Sequence, residues 1–341
     1  MNEQHLKAKT IAILGAGTMG TALAQLLASN GHSVQLWAYE TELVDVINTQ
    51  HENTLFLPGM TLSKNIVATS AFSDALSNAE YALSVTPSQV IRTLWGKAQK
   101  YLGPHVPVIC ASKGIETNSG KLISQVLEEV IGENASERLA YLSGPSFAKE
   151  IMDGQPTAVV VASTNEQLAA DIQQLVSTQL FRAYTTNDVV GVEIGGAIKN
   201  VIAIAVGIAE GLHLGINSKS ALITRGLAEI TRLAVACGAE RETLAGLAGM
   251  GDLVLTCTGH LSRNLQVGIR LGKGETLQEI LGSMKMVAEG VATAHSTLAL
   301  AKRFEIEMPV TEIVVDILNE QITPTDAVMA LMGRKLRPEK E

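Results

Sequence analysis

Lys199 is the residue whose surroundings most favour acid–base chemistry. It is a nearly isolated charged residue in the apolar segment GVEIGGAIKNVIAIAVGIAEG, which starts at residue 191. Gly195 and Gly196 lie one turn earlier on the same face, where small residues would leave space for a flat ring or a substrate. A lysine shielded from water has a lowered pKa, so it can exchange a proton with a carbonyl oxygen near neutral pH. The alternative is a lysine whose amine reaches solvent while its stem is buried. The glycine pair, together with the motif described next, favours a catalytic Lys199.

A glycine-rich turn follows the first apolar run of the chain. Residues 15–20 read GAGTMG, a GxGxxG pattern between a predicted strand and a predicted helix. In such a turn Gly15 makes the tight bend, Gly17 lets the backbone approach a pyrophosphate, and Gly20 lets the helix pack close to the strand. The free N–H groups of the helix N-terminus then favour the anion. A purely structural turn is the alternative, but the place of this one in a strand–helix series predicts a dinucleotide site.

The end of the second predicted strand bears on which dinucleotide binds. Glu40 lies 20 residues after Gly20, where an acid accepts hydrogen bonds from the ribose hydroxyls and favours NAD, whereas a basic residue favours the 2′-phosphate of NADP. Residues 38–40 include no basic side chain. An exposed acid at a helix start explains Glu40 equally well. The sequence therefore leaves NAD and NADP both open.

Two further regions carry polar groups suited to a small anionic substrate. Lys113 lies in the turn CASKG after an apolar run, at the carboxyl edge of the predicted sheet, where ligands of doubly wound folds bind. Asp252 follows glycines that would bend the chain and aim its carboxylate. Arg263, between Ser262 and Asn264, could offer a forked guanidinium to a phosphate. The alternatives are an ordinary loop lysine and, for Ser262 and Asn264, helix capping.

The scaffold for these residues changes character along the chain. Up to about residue 188, short apolar runs alternate with amphipathic segments, a pattern typical of a mostly parallel sheet covered by helices. From residue 189 onward the periodicity is helical. We therefore predict an α/β N-terminal domain with a Rossmann-type doubly wound sheet over residues 1–188, and an all-α C-terminal domain over residues 189–341. The predicted strands cover residues 10–14, 33–37, 67–69, 81–85, 106–111, 141–142 and 158–162.

The composition excludes several classes of protein. Hydrophobic residues make up 46% of the 341 residues, and a formal charge of −8 argues against a surface that binds nucleic acid. The three cysteines are far apart and the histidines are scattered, so we expect no metal site and a reduced, cytoplasmic protein. The apolar run 201–209 is too short for a membrane span, which takes about 20 residues. The segment from Val189 is therefore predicted to be a buried helix.

Seven motifs, spread from about Ile11 to Arg334, resemble those of one enzyme family. They are GAGTMGTALA, SKGIE, SGPSFAKE, GGAIKNVIAIAVGIAEG, ALITRGLAE, GDLVLTCTGHLSRN and VAEGV. The sequence is thus similar to the bacterial type of NAD(P)-dependent glycerol-3-phosphate dehydrogenase. The resemblance implies NADP or NAD as cofactor and the interconversion of dihydroxyacetone phosphate and sn-glycerol 3-phosphate, which supplies glycerophospholipid biosynthesis. The apolar faces expected on the helical domain point to a homodimer.

The resemblance also implies roles for single residues. Lys199 matches the catalytic proton acceptor. Tyr39 departs from the family, which often has a basic residue there, and this weakens the case for NADP; Met19 stands where an aromatic residue is frequent. From motif and resemblance together, cofactor contacts are predicted at Gly15, Gly17, Thr18, Met19, Gly20, Tyr39, Lys113, Ala148, Arg263, Val287 and Glu289. Substrate contacts are predicted at Lys113, Gly144, Ser146, Lys199, Asp252, Ser262, Arg263 and Asn264.

Two other functions compete with this prediction. A related two-domain reductase could act on another hydroxy acid or sugar acid, since one fold serves several substrates; Arg263 beside Ser262 and Asn264 favours a substrate that bears a phosphate. A dinucleotide-sensing regulator without catalysis would not need a lysine beside a glycine pair. An assay at the nicotinamide absorbance band with dihydroxyacetone phosphate separates these functions.

Overall fold

Strands and helices alternate along the first part of the chain. The computed structural model describes residues 7–132, 134–284 and 287–339, so the outermost residues of both predicted domains lie outside it. The strands are β1 (Thr10–Leu14), β2 (Ser33–Trp37), β3 (Glu52–Asn53), β4 (Leu57–Thr61), β5 (Ile66–Thr69), β6 (Tyr81–Ser84), β7 (Val108–Cys110), β8 (Leu139–Ser143), β9 (Thr157–Ala162) and β10 (Phe181–Thr186). The helices among them are α1 (Thr18–Ser29), α2 (Thr41–Gln50), α3 (Phe72–Leu76), α4 (Ile91–Ala98), α5 (Ile123–Ile131), α6 (Ala148–Met152) and α7 (Glu166–Val176).

The remainder of the described chain is helical. A π-helical turn, Leu247–Gly251, runs directly into α11. The helices are α8 (Val189–Gly211), α9 (Ile216–Ala236), α10 (Arg241–Ala245), α11 (Asp252–Thr258), α12 (Arg263–Gly272), α13 (Leu277–Ser283), α14 (Glu289–Arg303), α15 (Pro309–Leu318) and α16 (Pro324–Met332). The predicted pairing of a Rossmann-type sheet with an all-α part is confirmed.

Eight strands form one sheet in the order β10-β9-β8-β7-β6-β1-β2-β5. All neighbouring pairs are parallel except β8 and β9. From β1 the chain builds outward to β2 and β5, and then returns to place β6 on the other side of β1. This reversal makes the carboxyl ends of β1 and β6 a switch point, the place where open α/β sheets bind ligands.

Two parts of the sheet region were missed from the sequence. β10 alternates buried and exposed residues, with Arg182 and Tyr184 facing outward, because it lies at the edge of the sheet. It therefore lacks the continuous apolar run that identifies β7, which is buried throughout. The short antiparallel pair β3–β4 carries Pro58 and Gly59, which interrupt strand periodicity.

α8 forms the centre of the helical part. Nineteen of its 23 residues are buried, and α9, α11, α12 and α14 pack around it. Among the described residues it is the one helix long and apolar enough to cross a membrane, yet 83% of its most apolar stretch is buried inside the protein. α12 approaches it so closely that a Cβ on Gly268 would lie 2.1 Å from the carbonyl oxygen of Ile204. This contact brings the start of α12 beside residue 200.

Candidate active site

The glycine turn after β1 has the geometry that an anion-binding turn requires. Gly15 has φ of +120°, and a Cβ there would lie 2.5 Å from the carbonyl oxygen of Val85, which follows β6. A Cβ on Gly20 would lie 1.8 Å from the carbonyl oxygen of Gly15, so α1 packs directly on the turn. No atom comes within 4 Å of a Cβ on Gly17, whose outer side is open. Because no side chain caps α1, its first N–H groups suit a pyrophosphate.

The residues around this turn differ in exposure. Tyr39, just beyond β2, is 81% exposed, and its ring stands edge-on to that of Trp37. Thr18 donates from Oγ1 to the carbonyl oxygen of Phe56 at 3.4 Å, and Met19 packs against the sheet core. Glu40 precedes α2 and makes no side-chain capping bond. An adenosine ribose at the end of β2 would therefore meet Tyr39 and Glu40, and residues 38–40 include no basic side chain.

Lys199, Asp252 and Lys113 meet in one buried cluster. Nζ of Lys199 donates to Oδ1 of Asp252, and Nζ of Lys113 donates to Oδ2 at 2.6 Å. Asp252 is 1% exposed and Lys199 is 7% exposed, whereas the Lys113 side chain retains 21% of its surface. One carboxylate thus holds two ammonium groups, and the cluster has a net charge of +1 when both lysines are protonated.

Burial and charge set the proton affinities in this cluster. Burial lowers the pKa of Lys199 to about 7; Asp252 acts against this effect and Lys113 adds to it. Burial alone would raise the pKa of Asp252, but the two lysines together hold that pKa below its usual value. Asp252 is therefore a fixed anion, while Lys199 is able to gain and lose a proton near neutral pH.

The sequence predicted that the glycine pair before Lys199 leaves open space. The structure shows that this space is filled. A Cβ on Gly195 would lie 2.8 Å from the carbonyl oxygen of Ala248, in the π-helical turn. A Cβ on Gly196 would lie 2.9 Å from Oγ of Ser143 and 3.5 Å from the stem of Lys113. The glycines therefore admit the backbone before Asp252 and the side chain of Lys113. They assemble the cluster rather than a pocket for a ring.

The turn after β8 joins the sheet to the helical part. Gly144 has φ of +120°, and its carbonyl oxygen accepts from Nζ of Lys113 at 3.3 Å and from Oγ of Ser146 at 3.0 Å. The ring of Phe147 packs so close to Gly259 that a Cβ there would lie 2.4 Å from it. Ala148, the buried first residue of α6, follows directly. The structure thus brings Gly144 and Ser146 to Lys113, as a shared site requires.

Residues 262–264 differ in their bonding: two of them are bonded within the protein, and the third, Arg263, is exposed. Ser262 caps α12 by accepting from the N–H of Leu265 at 3.2 Å. Asn264 is buried; its amide donates to Oδ1 of Asn200 at 2.9 Å and accepts from the N–H of Gly290 at 2.9 Å. The capping alternative thus describes Ser262, whereas Asn264 uses its amide oxygen and one amide N–H for bonds within the protein, and its contact with the substrate stays a prediction. Arg263 remains exposed.

Arg263 and the start of α14 lie together on the helical side of the site. Nη1 of Arg263 donates to the carbonyl oxygen of Val287 at 2.9 Å. Glu289 accepts from the N–H and Oγ of Ser88 at 3.1 and 2.5 Å, although Ser88 follows β6 in the sheet part. The predicted cofactor contacts Arg263, Val287 and Glu289 are therefore neighbours.

Sequence reasoning missed two residues of this site. Ser88 lies in the turn TPS at the carboxyl end of β6, beside the switch point, and its position there was the available signal. Asn200 is a buried amide directly after Lys199, and a polar group within that apolar helix was a second signal. Both fix helical-part residues next to the cluster.

Comparison with known proteins decides the family. The N-terminal part of NAD-dependent glycerol-3-phosphate dehydrogenase matches residues 10–169, and the C-terminal part matches residues 188–329. The chain belongs to the NAD-dependent glycerol-3-phosphate dehydrogenase family. It is therefore an oxidoreductase of a family that uses NAD or NADP. The resemblance stated from the motifs is confirmed.

Individual members of the family are similar over nearly their full length. The glycerol-3-phosphate dehydrogenase (NAD(P)+) of Citrifermentans bemidjiense is 50% identical over 97% of this chain and 99% of its own. That of Geobacter sulfurreducens is 51% identical over 97% and 98%. The crystal structure of glycerol-3-phosphate dehydrogenase from Coxiella burnetii superposes with a TM-score of 0.91 at 38% identity, covering 96% of this chain and 99% of that one.

Proposed function

We propose that the chain interconverts dihydroxyacetone phosphate and sn-glycerol 3-phosphate, with Lys199 exchanging the proton at the C2 oxygen. The observation that carries this proposal is the buried cluster of Lys199, Asp252 and Lys113. A carbonyl that accepts hydride needs a proton donor, and the reverse reaction needs a base. Burial places the pKa of Lys199 at about 7, which suits both directions.

Different residues of the chain have different roles in the proposed reaction. A bound nicotinamide supplies or accepts the hydride. Asp252 fixes the positions of Lys199 and Lys113 beside the substrate, and its predicted contact with the substrate hydroxyls is part of the proposal. Lys113 supplies a second positive charge at the edge of the cluster, where its partial exposure leaves it open to a substrate oxygen. The exposed Arg263 offers its remaining N–H groups to the phosphate.

The turn between β1 and α1 fits a dinucleotide. Its open side at Gly17 and its uncapped helix start would hold the pyrophosphate. Thr18, Met19, Tyr39, Ala148, Val287 and Glu289 are the further contacts that we propose for the cofactor. The absence of a basic residue at 38–40 supports use of NAD. Initial rates with NADH and with NADPH decide between NAD and NADP.

We also propose a cellular direction of the reaction, a location, a domain boundary and an oligomeric state. The direction in the cell is reduction, which supplies glycerol 3-phosphate for glycerophospholipid biosynthesis in the cytoplasm. The domain division between residues 188 and 189 is supported by the interval between β10 and α8. A homodimer is supported by exposed apolar side chains on α9 and α16, at Ile216, Met329 and Met332.

The test is an initial-rate assay at the nicotinamide absorbance band. NADH and NADPH are each supplied with dihydroxyacetone phosphate, and unphosphorylated dihydroxyacetone serves as the matched control substrate. We expect turnover of the phosphorylated ketone and little turnover of the control. Equal rates with both ketones would refute a phosphate-bearing substrate, and no turnover of either with both cofactors would refute the activity.

A further inference from the structure

A small cavity lies beside the turn that carries Lys113. Its volume is about 10 Å³, counted as the space open to the centre of a water molecule. Strand β8 contributes Tyr141 and Ser143 to its wall, and α8 contributes Glu193. The cavity therefore touches the strand, the helix and the turn that together position the catalytic cluster.

Three buried polar atoms around this cavity have no protein partner. They are Oη of Tyr141, Oγ of Ser143 and Oε2 of Glu193, out of seven such side-chain atoms among the residues that the structure describes. Tyr141 and Ser143 are 4% and 5% exposed. A buried polar atom without a hydrogen bond costs about 1–3 kcal/mol, so three at one place require a common explanation.

The surroundings of these atoms limit what can satisfy them. The other oxygen of Glu193, Oε1, accepts from the N–H of Ser124 at 2.9 Å, which anchors the carboxyl group. The thiol of Cys110 is buried and its pKa is raised to about 12, so it stays uncharged. One carboxyl oxygen and two hydroxyls are too few ligands for a calcium or magnesium ion. They match the two to four partners of a buried water, and the volume matches one molecule.

We propose that Tyr141, Ser143 and Glu193 bind a single water molecule, and that through this water Glu193 acts as a positioning residue for the reaction at Lys199. The second part rests on the proposed function. Glu193 lies on α8 six residues before Lys199, and Oγ of Ser143 lies against Gly196 between them. Ser143 is followed directly by Gly144, whose carbonyl oxygen holds Nζ of Lys113.

The water would thus fix the strand end that holds Lys113 against Asp252. Without it, β8 and α8 lose a polar bridge at the level of Gly196, and the carbonyl oxygen of Gly144 is less firmly positioned for its hydrogen bond from Nζ of Lys113. The dinucleotide turn after β1 is untouched by this change. The effect therefore falls more on turnover than on cofactor affinity.

A crystal structure tests the water directly. We expect one ordered water within about 3 Å of Oη of Tyr141, Oγ of Ser143 and Oε2 of Glu193. The same analysis of Tyr141→Phe should show that water lost or displaced. A dry cavity in the unmodified protein would overturn the proposal, whatever substrate the enzyme uses.

Kinetics test the positioning role. Tyr141→Phe and Ser143→Ala should each lower kcat about fivefold, and the double variant should be no slower than the slower single one, because both act through one water. The KM for the cofactor should stay within about twofold. Glu193→Gln, which keeps hydrogen-bonding groups, should retain more activity than Glu193→Leu. Tyr81→Phe, on β6, is the matched control and should have unchanged kcat.

Two outcomes contradict the positioning role. Multiplied losses in the double variant would show independent sites, and equal activities of the Gln and Leu variants would show that hydrogen bonding by residue 193 is irrelevant. If the unmodified enzyme does not turn over dihydroxyacetone phosphate, the proposed function fails instead, and the crystallographic result still decides the water.

Discussion

At the scale of single residues, the proposed chemistry depends on one carboxylate whose two oxygens accept hydrogen bonds from two different lysines. Asp252 gives Oδ1 to Lys199 and Oδ2 to Lys113, and almost no solvent reaches it. Burial lowers the pKa of Lys199 to about 7, whereas the two lysines keep Asp252 ionised. The site therefore contains one group that titrates near neutral pH beside one that does not. This difference supports the proposal that Lys199 exchanges the proton.

The titration of Lys199 predicts opposite pH profiles for the two directions. Reduction needs the protonated ammonium, so its kcat/KM should fall as the pH rises through about 7. Oxidation needs the neutral amine, so its kcat/KM should rise over the same interval. Initial rates from pH 5.5 to about 9 in both directions provide the measurement. Parallel profiles in the two directions would remove Lys199 from proton exchange.

The exposed guanidinium of Arg263 predicts a defect in substrate binding. Arg263→Ala should raise the KM for dihydroxyacetone phosphate about ten- to a hundredfold, since a hydrogen bond to a charged group contributes about 1.5–3 kcal/mol. Arg270→Ala, on the same helix and paired with Glu275, is the control and should leave KM unchanged. Equal KM values for the two variants would exclude a phosphate contact at residue 263.

At the scale of elements, the cluster exists because two packing contacts are unusually close. The π-helical turn Leu247–Gly251 lies on Gly195, and this contact directs Asp252 toward α8. π-helical turns are uncommon and recur at functional sites. The stem of Lys113 crosses α8 at Gly196. Each glycine thus admits a partner that a larger residue would exclude.

Gly195→Ala tests the first of these contacts. Its Cβ would lie 2.8 Å from a backbone oxygen, so the π-helical turn must shift and carry Asp252 away from Lys199. We expect kcat to fall at least tenfold while cofactor KM stays constant. Gly96→Ala, where no atom lies within 4 Å of the new Cβ, is the control and should retain full activity. Normal kcat in Gly195→Ala would show that this contact does not set the cluster.

The sequence predicted the catalytic candidates better than their arrangement. Lys199 was visible because a charge in an apolar helix is conspicuous, and Gly15, Gly17 and Gly20 because their spacing has one well-understood use. The glycine pair was misinterpreted, since sequence spacing shows that a helix face is small but not what packs on it. The bonded state of Asn264 depends on residues 64 and 26 positions away, which no local pattern reports.

At the scale of the whole molecule, the proposed active site lies where the sheet part and the helical part touch. Ser88, after β6, donates twice to Glu289 at the start of α14, and Lys113 of the sheet part reaches Asp252 of the helical part. The carboxyl ends of parallel strands converge there by topology. The fold class followed from alternating patterns, whereas these contacts between the parts are set only by the folded chain.

Glu229, a buried carboxyl group on α9, predicts how global stability depends on pH. Burial raises the pKa of Glu229 from its usual value to about 7, although the N–H groups of Val310 and Thr311 donate to it. The folded state therefore binds this proton more tightly than the unfolded chain. Its contribution to stability is complete below about pH 4.5 and is lost as the pH rises through about 7.

Glu229→Gln isolates that contribution. The free energy of unfolding of the variant, relative to the unmodified protein, should increase between pH 5 and pH 8 by about 1–3 kcal/mol. Chemical denaturation at several pH values provides the measurement, with kcat as the check that the active site is intact. A difference that does not change with pH would show that Glu229 does not titrate in the folded protein.

If the amine of residue 199 exchanges the substrate proton, Lys199→Ala removes the group on which the reaction depends. We expect kcat for dihydroxyacetone phosphate reduction to fall about a hundred- to ten-thousandfold while calorimetry shows unchanged NADH or NADPH affinity. Lys219→Ala, whose lysine pairs with Glu210 on the surface, should match the unmodified enzyme. Turnover by Lys199→Ala within a few-fold of the unmodified enzyme would contradict the account.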